Sequence, residues 1–402
     1  MHWPTVGLAF VAMFILMGSR TAFAVLYPEM VATEHWTISD VTGAYSSGLL
    51  LYALLAILFG VGVDRLGCRV MMVAGAVLMG VGLLISAAAT DIWHLYVAYL
   101  LTAGLGAGGI GFITLIKTLS LRTGSRFATA FGIAFMGQGL GSLLVSPSIQ
   151  LVSEAQGWRF ATMLCGVTVL VVLVPLALWL APGRDARHPV RPGAPAVDTA
   201  PGVLSLVCGI FIVANFVLGF QMLVPTHQVA YMLDLRQPAT LAATAAGAWG
   251  LMMSVGSVIG GWFVDRFGME RVLIVSLVLF TLGTIGLVTS TPELSWLLAT
   301  YVLAGGIGRG LLGVILGAAQ TRTFAGPHLG RMTGILDVGF GSGAFLGPWG
   351  TAVLHDQLGT FAPGFLATIP ASIIGAGCTV IALRLRQRQQ QHQASGLRAA
   401  SS

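Results

Sequence analysis

The sequence predicts an all-α membrane protein: twelve transmembrane helices in two pseudo-symmetric six-helix bundles. Three observations carry that prediction. The first is composition. Apolar residues make up 56% of the 402 and charged residues only 8%, where a soluble domain carries about 25% charged. The mean hydropathy is +0.89. The 54 glycines suit helices that must approach closely where lipid gives no hydrophobic drive to association. The second is length. A span needs about 20 mainly apolar residues. Twelve runs meet this, at about 5–28, 43–63, 69–89, 94–116, 127–151, 160–181, 203–230, 241–263, 271–290, 295–320, 332–354 and 364–383. We call them spans 1 to 12. The third is an internal repeat at half the chain length, the feature to seek before any other. Gly60-Val-Gly-Val-Asp64-Arg65-Leu-Gly67-Cys-Arg69 returns as Gly261-Trp-Phe-Val-Asp265-Arg266-Phe-Gly268-Met-Glu-Arg271. Asp64 and Asp265 are 201 residues apart, as are Gly67 and Gly268, and Pro147 and Pro348.

The repeat sets the domains. Residues 1–182 form an N-terminal six-helix bundle and 203–384 a C-terminal one. Between them, 183–202 is rich in proline and arginine and without periodicity, and reads as a linker. The polar tail, 385–402, is expected to be disordered and cytoplasmic. The first apolar run is too long for a cleavable signal and reads as a retained helix. Cys68, Cys165, Cys208 and Cys378 show no metal or disulfide spacing, so no cofactor is expected.

Charge gives the orientation. With both termini in the cytoplasm, 16 of the 20 Lys and Arg fall on that side; Arg159 and Arg236 fall outside, and Arg20 and Arg309 lie within spans. The positive-inside rule then places the Asp64 and Asp265 loops in the cytoplasm. It also accounts for the basic balance without nucleic acid. The expected setting is a multi-pass protein of a plasma (inner) membrane, with the bilayer as its one large partner and a monomer as its working unit.

Gly-x-x-x-Asp-Arg-x-Gly with a following arginine, in a tight loop between two spans and present twice, resembles the signature of the major facilitator superfamily. Further motifs resemble its monocarboxylate-transporter-like branch: Arg20-Thr-Ala-Phe23 through Tyr27-Pro28, Glu34-His-Trp36-Thr-Ile-Ser39, Gly157-Trp158-Arg159 and Gly347-Pro348. The resemblance implies proton-linked or exchange transport of small organic anions by alternating access. It also makes Gly60, Asp64, Arg65, Gly67 and Arg69, with Gly261, Asp265, Arg266, Gly268 and Arg271, the gating loops. One departure is span 8, which has no charge at all; its mid-span large side chain is Trp249. An anion would therefore rest on Arg20 and Arg309.

Three ionisable residues lie well inside spans: Arg20, Arg309 and Asp337. Each costs about 2.5–3.5 kcal/mol at a helix centre on insertion scales, so each marks a wet path or a partner. Arg20 is read as the anion-binding guanidinium, against outward snorkelling. Its repeat partner is Gln221, and an arginine facing an amide suits a singly charged solute. Arg309 would complete the site. Asp337 would pair with it, either as a fixed structural lock or as the proton-coupling carboxyl. His227 either titrates or is a satisfied interfacial histidine. Phe23 and Tyr27 share the Arg20 face and, like Gln138, either line the pocket or pack. Lys117 reads as a loop anchor.

Rival functions are weaker. A multidrug exporter, working as a proton antiporter, needs an acidic, aromatic-lined cavity. A sensor or scaffold needs an added domain. An enzyme needs a nucleophile–base set or a phosphate-cradling loop, and the glycine runs lie inside spans, where helix packing explains them.

Overall fold

A computed structural model describes residues 3–123, 127–183, 201–324 and 329–400, and all regular structure among them is helical. Nine described helices are long and apolar enough to cross a membrane, and a tenth span is a pair, Ile38–Leu54 and Ala56–Leu66, bent by 58°. One of the nine contains a corner. The helix Phe127–Thr168 passes through Gly157 at φ 82°, ψ 162°, which separates spans 5 and 6. Leu329–Leu358 is span 11, and the twelve helices are complete. Residues 184–200 of the expected linker lie outside the described residues.

The tail corrects an expectation. Span 12 belongs to a helix running Ala362–Ala400, so the segment after Arg384 continues as helix. Its Arg, Gln and Ala residues are good helix formers, and no proline interrupts them. Polarity is a poor guide there, since a polar helix can extend an apolar one into water.

The repeat is written in the backbone as well as the sequence. Every described residue with positive φ has a counterpart in the other half: His35 (56°) with Arg236 (59°), Gly67 (89°) with Gly268 (83°), Gly157 (82°) with Gly359 (71°). A π-helical stretch, Leu100–Gly106, interrupts span 4, and another, Tyr301–Gly305, interrupts span 10. Wide π turns of this kind cost hydrogen-bond geometry and often occur where a helix lines a functional path.

Packing repeats too. A side chain on Gly137 or Gly141 of span 5 would meet the carbonyls of Phe10 and Phe14 of span 1; Gly339 and Gly343 of span 11 meet those of Ile212 and Phe216 of span 7. Each half thus has such a helix pair in near backbone contact. The halves meet along two further seams. Span 5 lies against span 8, where Gly247 approaches Ser142 and Leu143, and span 2 lies against span 11, where Gly341 approaches Ala53 and Gly334 approaches Ile57.

Candidate functional site

Arg20 sits two residues past Gly18, which is pressed against Val145 of span 5. This contact fixes the rotation of span 1 and turns Arg20 toward two cavities. One, of about 20 Å³, lies within the N-terminal half and is lined by Ser19, Phe23, Tyr45, Tyr99 and Thr102. The other, of about 30 Å³, is a cleft lined by Tyr52, Gly111, Phe112 and Gln138. Arg20 lines both and acts electrostatically on Tyr45 and Tyr52. Among the described residues it makes no hydrogen bond or ion pair. A guanidinium offers five N–H donors in a fixed fork. Five unused donors inside a membrane span are costly unless water or an anion meets them.

Asp337 belongs to the other half, on span 11. Gly334 and Gly341, three residues before it and four after, share its helix face and touch Ile57 and Ala53 of span 2. That face brings Asp337 within electrostatic reach of Tyr52. Tyr52 therefore lies within electrostatic reach of both the cation of one half and the carboxyl of the other. No sequence signal distinguishes it from the other tyrosines, since only the packing of span 2 shows which way it turns. Gln138 adds a buried Oε1 without a partner, while its Nε2 contacts Met17 Sδ at 3.5 Å.

The remaining polar residues are held elsewhere. Arg309 is buried at 7% exposure, and its Nη2 donates to the Leu218 carbonyl of span 7 at 3.2 Å. Among the described residues no ion pair joins it to Asp337. Gln221 is 1% exposed, and its Nε2 donates to Ser372 Oγ of span 12 at 2.6 Å. Among the described residues it lines a different cavity, with Leu218 and Ser372, from those that Arg20 lines. The reason is local: span 7 breaks between Pro201–Phe220 and Leu223–Asp234, and the turn at Gln221 swings its side chain into its own bundle. The symmetry of the sequence holds here, but the facing pair it implied does not form.

Tyr27 and His227 meet at the end away from the Asp64 and Asp265 loops. Tyr27 Oη lies 2.8 Å from His227 Nδ1, and Nε2 lies 2.8 Å from the Pro348 carbonyl. A carbonyl only accepts, so Nε2 carries the proton and the tyrosine hydroxyl donates to Nδ1. Phe361 stacks on His227 at 4.8 Å and on His355 at 4.0 Å. His355 bonds Asp234 at 3.1 Å, and the Ser39 amide donates to Asp356 at 3.1 Å. Phe23 stacks on Tyr45 at 4.1 Å beneath this cluster. Tyr27–His227 and Ser39–Asp356 tie the two halves together, so this end is closed. Tyr27→Phe leaves Nδ1 buried and unpaired, at a cost of about 1–3 kcal/mol. The expected result is a Tm lower by a few degrees in detergent; an unchanged Tm would show that the bond contributes nothing to the closed form.

At the opposite end, Gly67 and Gly268 cap their helices at positive φ, where any Cβ is strained. A Cβ added to Gly60 or Gly261 would meet nothing within 4 Å, so close approach is not their reason. Asp64 pairs with Lys117 of span 4, a contact that the sequence does not foretell for the single lysine. Arg69 Nε donates to the Ala181 carbonyl at 3.0 Å, and its amide to that of Pro182 at 3.3 Å. Both contacts stay within the N-terminal half. In the C-terminal half Glu270 pairs with Arg384 at 3.2 Å, and Asp265 also has a partner. Arg65, Arg266 and Arg271 are exposed.

Comparison with known proteins agrees with the geometry. The Major Facilitator Superfamily family model matches residues 9–243 and 209–401. Monocarboxylate transporter 11 of Homo sapiens is 28% identical over 393 residues, covering 93% of this chain and 81% of that protein. Monocarboxylate transporter 12-B of Danio rerio is 26% identical, covering 82% and 76%. Among solved structures, the nucleoside transporter NupG aligns with a TM-score of 0.72 at 15% identity, over 96% of this chain and 99% of that one. A bacterial homolog of the human lysosomal transporter Spinster aligns at 0.70 and 14%, over 96% and 97%. At such identities these two share the fold alone. The duplicated six-helix halves, the paired signature loops and the full-length match together show that the chain belongs to the Major Facilitator Superfamily, as a monocarboxylate-transporter-like member that is a transporter of small molecules and not an enzyme.

Proposed function

We propose that the chain is a secondary active transporter of a small organic anion, a monocarboxylate, moved with a proton by rocking of its two halves. The observation that carries this reading is the unpartnered Arg20 guanidinium lining a cleft deep in span 1. A single carboxylate matches its fork bidentately. Tyr52 and Gln138 offer further hydrogen bonds to the same solute. Asp337, within electrostatic reach of Tyr52, is the carboxyl whose protonation state an arriving anion would alter. Arg309 and Gln221 hold span 7 in its bundle in this conformer. The Tyr27–His227 cluster is the closed gate at one end, and the signature loops belong to the other. The excess of Lys and Arg on the signature side supports cytoplasmic termini in an inner membrane. The compact pair of bundles can work as a monomer.

Uptake by proteoliposomes under an imposed pH gradient tests both parts. Accelerated uptake of a labelled monocarboxylate when the outside is acidic is expected. Asp337→Asn should remove the acceleration while leaving counterflow at equal pH. Equal uptake with and without the gradient in the parent protein would remove the proton; uptake of amines but not acids would turn the reading to an exporter.

A further inference from the structure

Three cavities form a row through the N-terminal half. The first is a groove of about 250 Å³ with span 1 as its floor and spans 5 and 6 as its walls. Leu144 and Leu164 line it and are exposed on the helix surface, so in a bilayer they face acyl chains. Ser19 and Cys165 line this groove and also the Arg20 pocket. Leu16, Arg20 and Ala107 line both that pocket and the cleft. Ser19 and Cys165 are therefore the side chains that the groove and the Arg20 pocket share. The Ser19 hydroxyl is turned back onto its own helix, donating to the Ile15 carbonyl at 2.8 Å. It presents little bulk to the passage.

The lining changes character along the row. The groove is walled by residues such as Phe14, Ile15, Val145, Ile149 and Val152. Aromatic rings with polar edges, Tyr45 and Tyr99, follow in the pocket, and the one charge in all three linings is Arg20. A phospholipid chain could fill the groove without using Arg20. A short acid could use Arg20 without the groove. Only an anion with a hydrocarbon tail is complementary to the whole row. We propose that the groove seats the tail of an amphipathic monocarboxylate whose head group is held by Arg20. The substrates are then acids with extended apolar tails, and the groove is their lateral entry from the bilayer. This rests on the anion reading above and narrows it.

The test compares propionate with decanoate on the full-length protein in nanodiscs, by calorimetry or thermal shift. Each methylene moved from water into the groove should tighten binding about fourfold, the equivalent of its transfer free energy. Longer acids also partition into the bilayer, so the readout is the decanoate-to-propionate affinity ratio in parent and variant side by side. Ser148→Trp fills the groove from its exposed rim and should lower the ratio at least tenfold. Thr168→Trp, from the opposite wall, should do the same by an independent route. If propionate binds and the ratio is unchanged in both variants, the groove seats only a lipid chain and this proposal falls, while the anion reading stands. If the parent protein binds neither acid, both fall.

Discussion

Replacing Arg20 by alanine is expected to reduce monocarboxylate uptake about 100-fold or more at unchanged protein level. Two lost hydrogen bonds to a charged group, at about 1.5–3 kcal/mol each, give that factor, since about 1.4 kcal/mol is tenfold. Arg20 has no protein partner among the described residues, so its removal leaves no buried charge uncompensated. A loss of transport could not then be blamed on a broken ion pair. Arg20→Lys should fall between, since an ammonium keeps the charge but not the planar fork. The measurement is the initial rate in proteoliposomes, with Tm recorded for each variant. An alanine variant that transports at the parent rate would remove the anion site.

Gly75→Leu is expected to destroy the fold rather than the site. A Cβ on Gly75 would stand 2.7 Å from the Gly109 Cα and 2.8 Å from the Gly106 carbonyl oxygen. Both are backbone atoms, so spans 3 and 4 would have to separate along their length. Overpacking a side chain costs about 1–3 kcal/mol, and more where backbone must move. The C-terminal half has the same arrangement, with Gly283 meeting the backbone of Gly305. Gly377 and Gly209 are the controls, since nothing lies within 4 Å of a Cβ at either. The expected outcome is little monodisperse protein for Gly75→Leu and normal yield and Tm for Gly377→Ala. A well-folded Gly75→Leu protein would mean that spans 3 and 4 are not in backbone contact.

Much of the architecture is legible in the sequence because the bilayer imposes so few solutions. Apolar runs of about 20 residues must be helices, since lipid cannot satisfy exposed backbone. The duplicated loop implies duplicated bundles, and the positive-φ pairs His35/Arg236 and Gly67/Gly268 fall at the same offset as the sequence repeat. Sequence also singles out Arg20, because an ionisable group in a span is costly and rare. The partners are harder to read. Depth alone matches Asp337 to Arg309, but depth says nothing about which side of a helix a residue occupies. The repeat matches Gln221 to Arg20, but a break in span 7 turns it away. Lys117 finds Asp64, and Tyr52 finds the cleft, only through how spans 2 and 4 are rotated.

The amino-acid order by itself determined the number of spans, the division into halves and the charge within span 1, since each follows from local composition against the cost of entering lipid. Helix rotation and the break at Gln221 decided which polar groups share a cavity, which end is closed and that Arg20 lines both the cleft and the pocket beside the apolar groove. Those follow from contacts between residues far apart in the chain, such as Gly18 with Val145 and Gly341 with Ala53, and no local pattern encodes them.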